Sequence, residues 1–186
     1  PLNELTDVQY KAATIPNKFF TVPPIPEYFN PKRKSYGHLI PANHGVFANS
    51  FHVGDDCGWL RNSLPVVAVA NGIVRYVRHT VSWGGIAIIE HKMPNGKPFC
   101  SLYGHLGPLI TLKLGDEVKA GDNIAALGRS HSWENGGYAA HLHFGINMNA
   151  FNPEWISGYV SKSTFNRKAH KWVDPQQFIK THLPQN

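Results

Sequence analysis

One pattern runs through the middle of this 186-residue chain: short apolar runs are separated by tight-turn sequences. PVVAVA at residues 65–70 is followed by Asn71-Gly72, and GIAIIEH at residues 85–91 is followed by PNGK. Asn-Gly pairs favour the two-residue turns of β-hairpins, and runs this short suit strands better than helices. The pattern predicts a mostly β domain built from an antiparallel β-sheet or sandwich.

The segments on either side differ from this middle part. Prolines at positions 16, 23, 24, 26 and 31 disfavour both helix and strand pairing, so we expect residues 1–37 to form an extended N-terminal arm. Residues 38–150 would then form the domain, and residues 151–186 a C-terminal extension packed on it. Within this extension, Asp174 and Pro175 are typical of an N-cap and a first-turn proline, which predicts one short helix.

Charge and hydropathy limit the partners that we expect. The formal net charge is +6, which favours an anionic partner or an anionic surface. The basic residues are scattered and no recognition helix accompanies them, so nucleic acid is not the expected partner. No window approaches the roughly 20 apolar residues of a membrane-spanning helix. We expect a monomer without a membrane span.

Two histidines flank a leucine in HLHF, at positions 141 and 143. Residues two apart in a strand point to the same face and lie about 7 Å apart along the backbone, so one zinc ion could accept either or both imidazoles. An H-x-H pair alone is a weak signal, because paired surface histidines are commoner than metal sites.

A second candidate stretch is FHVGDDCG at residues 51–58. If it is extended, His52, Gly54 and Asp56 share one face, and Gly54 leaves room for a cation between the imidazole and the carboxylate. Asp55 faces the other way, and we interpret it as a solvent-facing or turn-capping acid. Two histidines and one carboxylate are a frequent ligand set of catalytic zinc, which activates water for hydrolysis.

A third stretch, SLYGHLG, adds polar groups to this candidate site. Strand alternation predicts that Tyr103 and His105 share one face and that a further polar group lies near the metal. The three stretches together indicate a metal-dependent hydrolase.

Six motifs in order carry a resemblance to a known family: HVGDD, PVVAVANGIV, WGGIAIIEH, LYGHLG, LKLGDEVKAGDNIAALG and HLHF. Over about residues 44–148 the sequence resembles the zinc metallopeptidases of the lysostaphin and LytM type, the M23 family. The resemblance implies a LytM-type antiparallel domain with one Zn²⁺ bound by His52, Asp56 and His143. It also implies two catalytic histidines, His105 and His141, of which one deprotonates the zinc-activated water and the other helps to stabilise the oxyanion.

The function implied by the resemblance is an endopeptidase that cleaves peptidoglycan stem peptides or cross-bridges, in the periplasm or outside the cell. The alternative is a non-catalytic, zinc-binding scaffold that binds wall peptide or a partner protein. All five family positions are filled here, which favours activity. The N-terminal arm either lies in the groove and holds the enzyme latent or wraps the domain inertly.

The sequence departs from the family pattern in two places. The loop RSHSWENGGYAA is longer and more aromatic than usual, and Gly145 replaces an acidic residue. Aromatic side chains can cover peptide and sugar surfaces, and otherwise they pack under loops. The candidate substrate contacts are Trp83, Tyr103, Trp133 and Tyr138.

The two cysteines and His91 are interpreted as structural residues. Cys57 and Cys100 would either form a disulfide between two active-site strands or remain unpaired buried thiols. His91, at a strand end, is interpreted as a structural histidine with satisfied hydrogen bonds.

Overall fold

Three nine-residue strands form the centre of the fold: β4 (Gly72–Thr80), β5 (Gly84–Lys92) and β6 (Pro98–Leu106). This computed structural model describes residues 19–29, 35–43, 45–108, 110–168 and 170–184. The shorter strands are β1 (Ser50–His52), β2 (Asp55–Cys57), β3 (Pro65–Val67), β7 (Glu117–Val118), β8 (Asn123–Ala126), β9 (Leu142–Asn147), β10 (Tyr159–Ser161) and β11 (Trp172–Val173). Helices α1 (Lys162–Asn166) and α2 (Pro175–Thr181) and the 3₁₀ helices Gly45–Phe47, Trp133–Asn135 and Pro153–Trp155 complete the described elements.

The main sheet has the strand order β11-β9-β6-β5-β4-β7, and all of its pairs are antiparallel. Strand β9 pairs with β6 along one edge, and its other edge is shared by β2 and β11. Two small antiparallel sheets, β1 with β10 and β3 with β8, flank the main one. The predicted mostly β, antiparallel architecture is confirmed.

The two Asn-Gly pairs have different outcomes. Asn95-Gly96 forms the predicted hairpin: β5 and β6 pair directly, and Gly96 takes a φ of 78° in the turn. Asn71-Gly72 does not form a hairpin, because β3 pairs with β8 instead of β4. The Asn71 side chain accepts a hydrogen bond from the Ala120 backbone at 2.9 Å, so this asparagine joins two loops.

Apolar side chains cover both faces of the sheet. Along β5, Ile86 and Ile88 face a cluster that contains Trp172, while Ala87 and Ile89 face the larger cluster. Helix α2 closes the larger cluster with Phe178 and Ile179. Its N-cap is Asp174, whose side chain accepts from the Gln177 backbone at 3.1 Å, and Pro175 begins the first turn. The predicted helix at Asp174 and Pro175 is therefore confirmed, although the extension also contains a second helix, α1, that was not predicted.

Part of the predicted N-terminal arm packs on this core. Phe20, Val22, Ile25 and Tyr28 are buried, and the Val22 amide donates to the Val69 carbonyl. Residues 1–18 and 30–34 of the arm lie outside the described residues. The division of the chain at positions 37 and 150 stays a prediction. Among the described residues, no helix combines the length and the apolar character needed to cross a membrane.

The cysteines do not form the disulfide that we considered. Both are free and buried, as the alternative interpretation predicted. Cys57 lies opposite Leu142 at one end of β9, and Cys100 lies opposite Asn147 at the other. Five residues of strand separate these positions by about 17 Å, whereas a disulfide needs Cα atoms within about 7 Å.

Candidate metal centre and active-site groove

The register of β2 against β9 brings the predicted ligands together. Asp56 lies directly opposite His143, and β1 places His52 four residues before Asp56 on the same side of the chain. The His52 Nε2 lies 3.3 Å from the Asp56 Oδ1, and the His143 Nδ1 lies 3.2 Å from that same oxygen. The two imidazole nitrogens are 2.9 Å apart. Three predicted ligand atoms thus converge on one point.

Gly54 has a different role from the predicted one. A Cβ at this position would lie 2.5 Å from the His143 Nε2, so the His143 ring fills the space that the sequence suggested for a cation. The glycine is still needed, because any side chain would displace the ring from Asp56. Among the described residues, the buried His143 Nε2 has no hydrogen-bond partner.

The protonation states suit a cation. The His52 Nδ1 lies 3.3 Å from the Ser35 carbonyl, so a neutral His52 carries its proton there and leaves a lone pair on Nε2. Burial raises the pKa of the Asp56 carboxyl, but the adjacent imidazoles of His143 and His52 outweigh this effect and hold the pKa well below its usual range. Burial lowers the pKa of His143 to about 4. Near neutral pH the site therefore combines the Asp56 carboxylate with a neutral His143 imidazole.

The spacing of these atoms matches a tetrahedral metal site. Zinc bonds of about 2.0–2.1 Å to nitrogen and oxygen place neighbouring ligand atoms about 3.3 Å apart. The three separations of 2.9, 3.2 and 3.3 Å between the ligand atoms fall close to this edge length. The donor set of two imidazoles and one carboxylate also suits zinc. The residues therefore fit the predicted ion.

A β-bulge in β6 places His105 beside the metal ligands. Gly85 pairs with Leu106 while Ala87 pairs with Tyr103, so β6 contains one extra residue here. His105 takes a φ of 62°, a left-handed conformation that costs an ordinary residue about 1–2 kcal/mol. Its amide donates to the Trp83 carbonyl, and its own carbonyl accepts from the Gly128 amide. These bonds hold the strained residue in place.

The His105 ring is neutral and oriented. Its Nδ1 lies 2.9 Å from the Asn135 carbonyl, so a neutral ring donates from Nδ1 and keeps a lone pair on Nε2. Burial, together with the neighbouring imidazoles of His141 and His143, lowers the pKa of His105 to about 3. At neutral pH the ring is therefore uncharged and carries a lone pair on Nε2.

His141 has a different environment from His143, although only Leu142 separates them. Its Nδ1 lies 2.7 Å from the Ala139 carbonyl, and its Nε2 lies 3.7 Å from the Asp56 Oδ1. The ring stacks on Trp59 with a centroid distance of 4.5 Å and an interplanar angle of 9°. Its centroid is 4.4 Å from that of His105. The two predicted catalytic histidines therefore stand side by side.

All five residues open into one groove with a volume of about 400 Å³. Aromatic side chains form much of its wall, and residues 156–159 of the C-terminal extension close one side. The lining residues are Phe47, His52, Asp56, Trp59, Ser82, Trp83, His105, Tyr138, His141, His143, Ile156, Ser157, Gly158 and Tyr159.

The four predicted substrate contacts divide into two pairs. Trp83 and Tyr138 line the groove. Tyr103 does not, because the bulge breaks the strand alternation: its side chain is fully buried, and its hydroxyl accepts from the Val69 amide at 2.9 Å. Trp133 is 64% exposed and packs beside His79 outside the groove. The structure thus contradicts the prediction for the buried Tyr103, and it places Trp133 away from the groove.

Sequence reasoning missed several residues of this site, among them Trp59 and Asn135, which contact the two non-ligand histidines. Trp59 contacts His141. An aromatic residue only three positions after the predicted ligand Asp56 could have been recognised as a candidate site residue. Asn135 orients His105 through a backbone carbonyl, which leaves no mark in side-chain chemistry. The nearest hint is Gly136-Gly137, where both residues have positive φ.

Comparisons with known proteins identify the family and the fold. The model of peptidase family M23 matches residues 50–153, a range that includes all five residues. The structure is similar to the catalytic domain of the antimicrobial peptidase lysostaphin from Staphylococcus simulans, with 27% identity and a TM-score of 0.52 over 78% of this chain and 89% of that one. It is also similar to LytU, with 27% identity and a TM-score of 0.51 over 90% of this chain and 92% of that one.

A chain in the crystal structure of the SpoIIIAH and SpoIIQ complex shares the fold, with 20% identity and a TM-score of 0.50 over 72% of this chain and 97% of that one. The search of curated proteins gave no match. The family model covers more than half of the chain and includes every candidate ligand. The chain therefore belongs to peptidase family M23.

Proposed function

We propose that this chain is a zinc-dependent endopeptidase that hydrolyses peptide bonds in the stem peptides or cross-bridges of peptidoglycan. The convergence of three ligand atoms with two oriented, non-ligand histidines in one groove carries the proposal. A binding module would need the groove, but it would have no use for two adjacent rings that each donate from Nδ1 to a backbone carbonyl.

In this proposal His52, Asp56 and His143 hold one Zn²⁺. A bound zinc ion polarises a substrate carbonyl and makes water more acidic. His105 accepts a proton at Nε2, since its Nδ1 proton is committed to the Asn135 carbonyl. His141 stands beside it and offers a second Nε2 for proton transfer or for a hydrogen bond to the reacting peptide. Burial of both rings keeps bulk water from competing for these positions.

Charge and similarity support a wall substrate. The net charge of +6 suits a protein that works on an anionic envelope polymer. Lysostaphin, which this chain resembles across most of its domain, is described as an antimicrobial peptidase. Trp83 and Tyr138 would contact the peptide across the groove, and the place of action would be the cell envelope or the medium outside it.

Digestion of purified sacculi tests the proposal directly. The zinc-loaded wild type should release soluble muropeptides, and mass spectrometry of their new termini identifies the bond that is cleaved. His105→Ala and His141→Ala should each lower the initial rate at least about 100-fold, the usual contribution of an acid–base group. Both variants should keep the wild-type zinc content, which separates a loss of chemistry from a loss of metal.

The second candidate is a non-catalytic scaffold that binds wall peptide or a partner protein. Its support is the shared fold with a chain from the SpoIIIAH and SpoIIQ complex. The same sacculi distinguish the two candidates: a scaffold would sediment with the wall and release no fragments from sacculi of any chemotype. That result would overturn the peptidase proposal.

A further inference from the structure

The segment before β1 contacts both the backbone and the ring of His52, the first candidate metal ligand. The Gly37 amide donates to the His52 carbonyl at 2.9 Å, and the His52 amide donates to the His38 carbonyl at 2.9 Å. The His52 ring completes the set, because its Nδ1 lies 3.3 Å from the Ser35 carbonyl. Backbone and ring of this ligand are thus fixed by residues 35–38.

The second ligand is held by the same serine. The Asp56 amide donates to the Ser35 Oγ at 2.7 Å, and the Ser35 hydroxyl donates to the Gly54 carbonyl at 3.4 Å. One side chain therefore bridges the backbone on both sides of residue 55. This bridge fixes the backbone of β2 at Asp56 and therefore the direction in which the Asp56 side chain points.

Asp55 ties the arm to this strand from the opposite face. Its carboxylate is fully buried and accepts from the Ser35 and Tyr36 amides at Oδ1 and from the Tyr28 hydroxyl at Oδ2, each at 3.1 Å. The solvent-facing interpretation of Asp55 is wrong. The carboxylate instead caps the backbone of the arm, which holds Ser35 against the two ligands.

We infer that Ser35 is a positioning residue of the metal centre, which it orients through its carbonyl on His52 and its hydroxyl on the Asp56 backbone. The inference rests on the proposed role of His52 and Asp56 as zinc ligands. Groups that hydrogen-bond to metal ligands fix their orientation and raise their basicity, and their loss typically weakens metal binding about 10- to 100-fold.

This role differs from both functions that the sequence suggested for the arm. No described residue among 19–29 and 35–37 lines the groove, so the described part of the arm does not block it. The arm is not inert either, since Ser35 contacts both ligand segments. The described part of the arm therefore helps to position the candidate metal ligands.

Zinc affinity of the full chain, measured by competition with a chromophoric chelator, tests the inference. Ser35→Ala removes the hydroxyl on the Asp56 backbone and leaves the carbonyl on His52, so it should bind zinc about tenfold more weakly than the wild type, and its Co²⁺ absorption spectrum should change because Asp56 loses its fixed orientation. Ser35→Thr keeps the hydroxyl and should restore wild-type affinity. Thr21→Val is the matched control: it removes another buried hydrogen bond of the arm, from the Thr21 hydroxyl to the Ile179 carbonyl, far from the ligands. Its affinity should equal that of the wild type.

Tyr28→Phe serves as a second variant if Ser35→Ala does not fold. It removes one of the three hydrogen bonds to the Asp55 carboxylate, and zinc affinity should fall by a smaller factor than in Ser35→Ala. Wild-type affinity in both Ser35→Ala and Tyr28→Phe would overturn the inference while leaving the peptidase proposal intact. A wild-type chain that binds neither zinc nor Co²⁺ would instead overturn the proposed metal centre itself.

Discussion

At the scale of single residues, the partner of each imidazole decides its role. His141 and His143 are chemically identical and nearly adjacent in sequence. His143 faces the Asp56 carboxylate at 3.2 Å, whereas His141 donates to the Ala139 carbonyl and stacks on Trp59. One ring is therefore suited to hold a cation and the other to handle a proton. The motif predicts the pair, and the surrounding contacts distinguish its members.

Trp59 is expected to hold the His141 ring in its working orientation. Ring stacking of this kind contributes about 1 kcal/mol, so Trp59→Leu should lower kcat/KM on sacculi about fivefold to tenfold without changing zinc content. Trp59→Phe retains an aromatic face and should lose less. Trp133→Leu, at the exposed tryptophan outside the groove, should keep the wild-type rate. Equal rates for Trp59→Leu and the wild type would contradict a positioning role.

At the scale of elements, the bulge in β6 corrects the simplest strand prediction. Regular alternation would place Tyr103 and His105 on one face. The extra residue separates them, so that Tyr103 enters the core and His105 enters the groove. Bulges often re-aim a side chain beside an active site in this way. Gly104, directly before His105, was a sequence signal of this irregularity. A Cβ at this position would lie 2.5 Å from the Trp83 ring.

Gly145 is explained by the packing of β9 against the C-terminal extension. A Cβ there would lie 2.7 Å from the Trp172 ring, which is buried and packs edge-on against Trp155. Gly145→Ala should therefore lower the free energy of unfolding by about 1–3 kcal/mol, the usual cost of overpacking, as measured by urea denaturation. Gly107→Ala adds the same methyl group where the nearest atoms are 3.4 Å or more away, and it should be nearly neutral. Equal stability of both variants would contradict this explanation.

At the scale of the whole molecule, His91 should make folding sensitive to pH. The ring is buried on Phe99, with Nδ1 2.8 Å from the Asn71 carbonyl and Nε2 2.7 Å from the Ser101 hydroxyl, which confirms its structural interpretation. Burial lowers the pKa of His91 to about 4, although the neighbouring Glu90 carboxylate opposes the shift. Between about pH 6.5 and pH 4 the unfolded chain therefore binds more protons than the folded one, and stability falls as the pH falls.

The change in unfolding free energy with pH that His91 causes is large enough to measure. From pH 7 to pH 5, a buried imidazole with this pKa removes about 2 kcal/mol of unfolding free energy. His91→Gln should lose about 2 kcal/mol less than the wild type over the same interval, in urea titrations at one zinc concentration. Ser101→Ala removes a hydrogen bond but keeps the imidazole, so it should retain the wild-type pH dependence. Parallel pH profiles for His91→Gln and the wild type would contradict the prediction.

The sequence alone determined the antiparallel β architecture, the Asn95-Gly96 hairpin and the capped C-terminal helix. These features follow from local physics: the alternation of apolar residues, the turn preference of Asn-Gly and the side chain of Asp174 at a helix N-terminus. The resemblance to the M23 family also indicated His52, Asp56 and His143 as a set, since six of its motifs occur in order in this chain.

Only the tertiary structure decided how these parts meet. The register of β2 on β9 placed Asp56 opposite His143, the pairing of β3 with β8 removed the hairpin expected at Asn71-Gly72, and long-range packing placed Trp59 against His141. Contacts such as that of Ser35 with His52 join distant segments through backbone atoms, which are the same in every residue. Local sequence cannot encode such a contact, because it depends on the path of the whole chain.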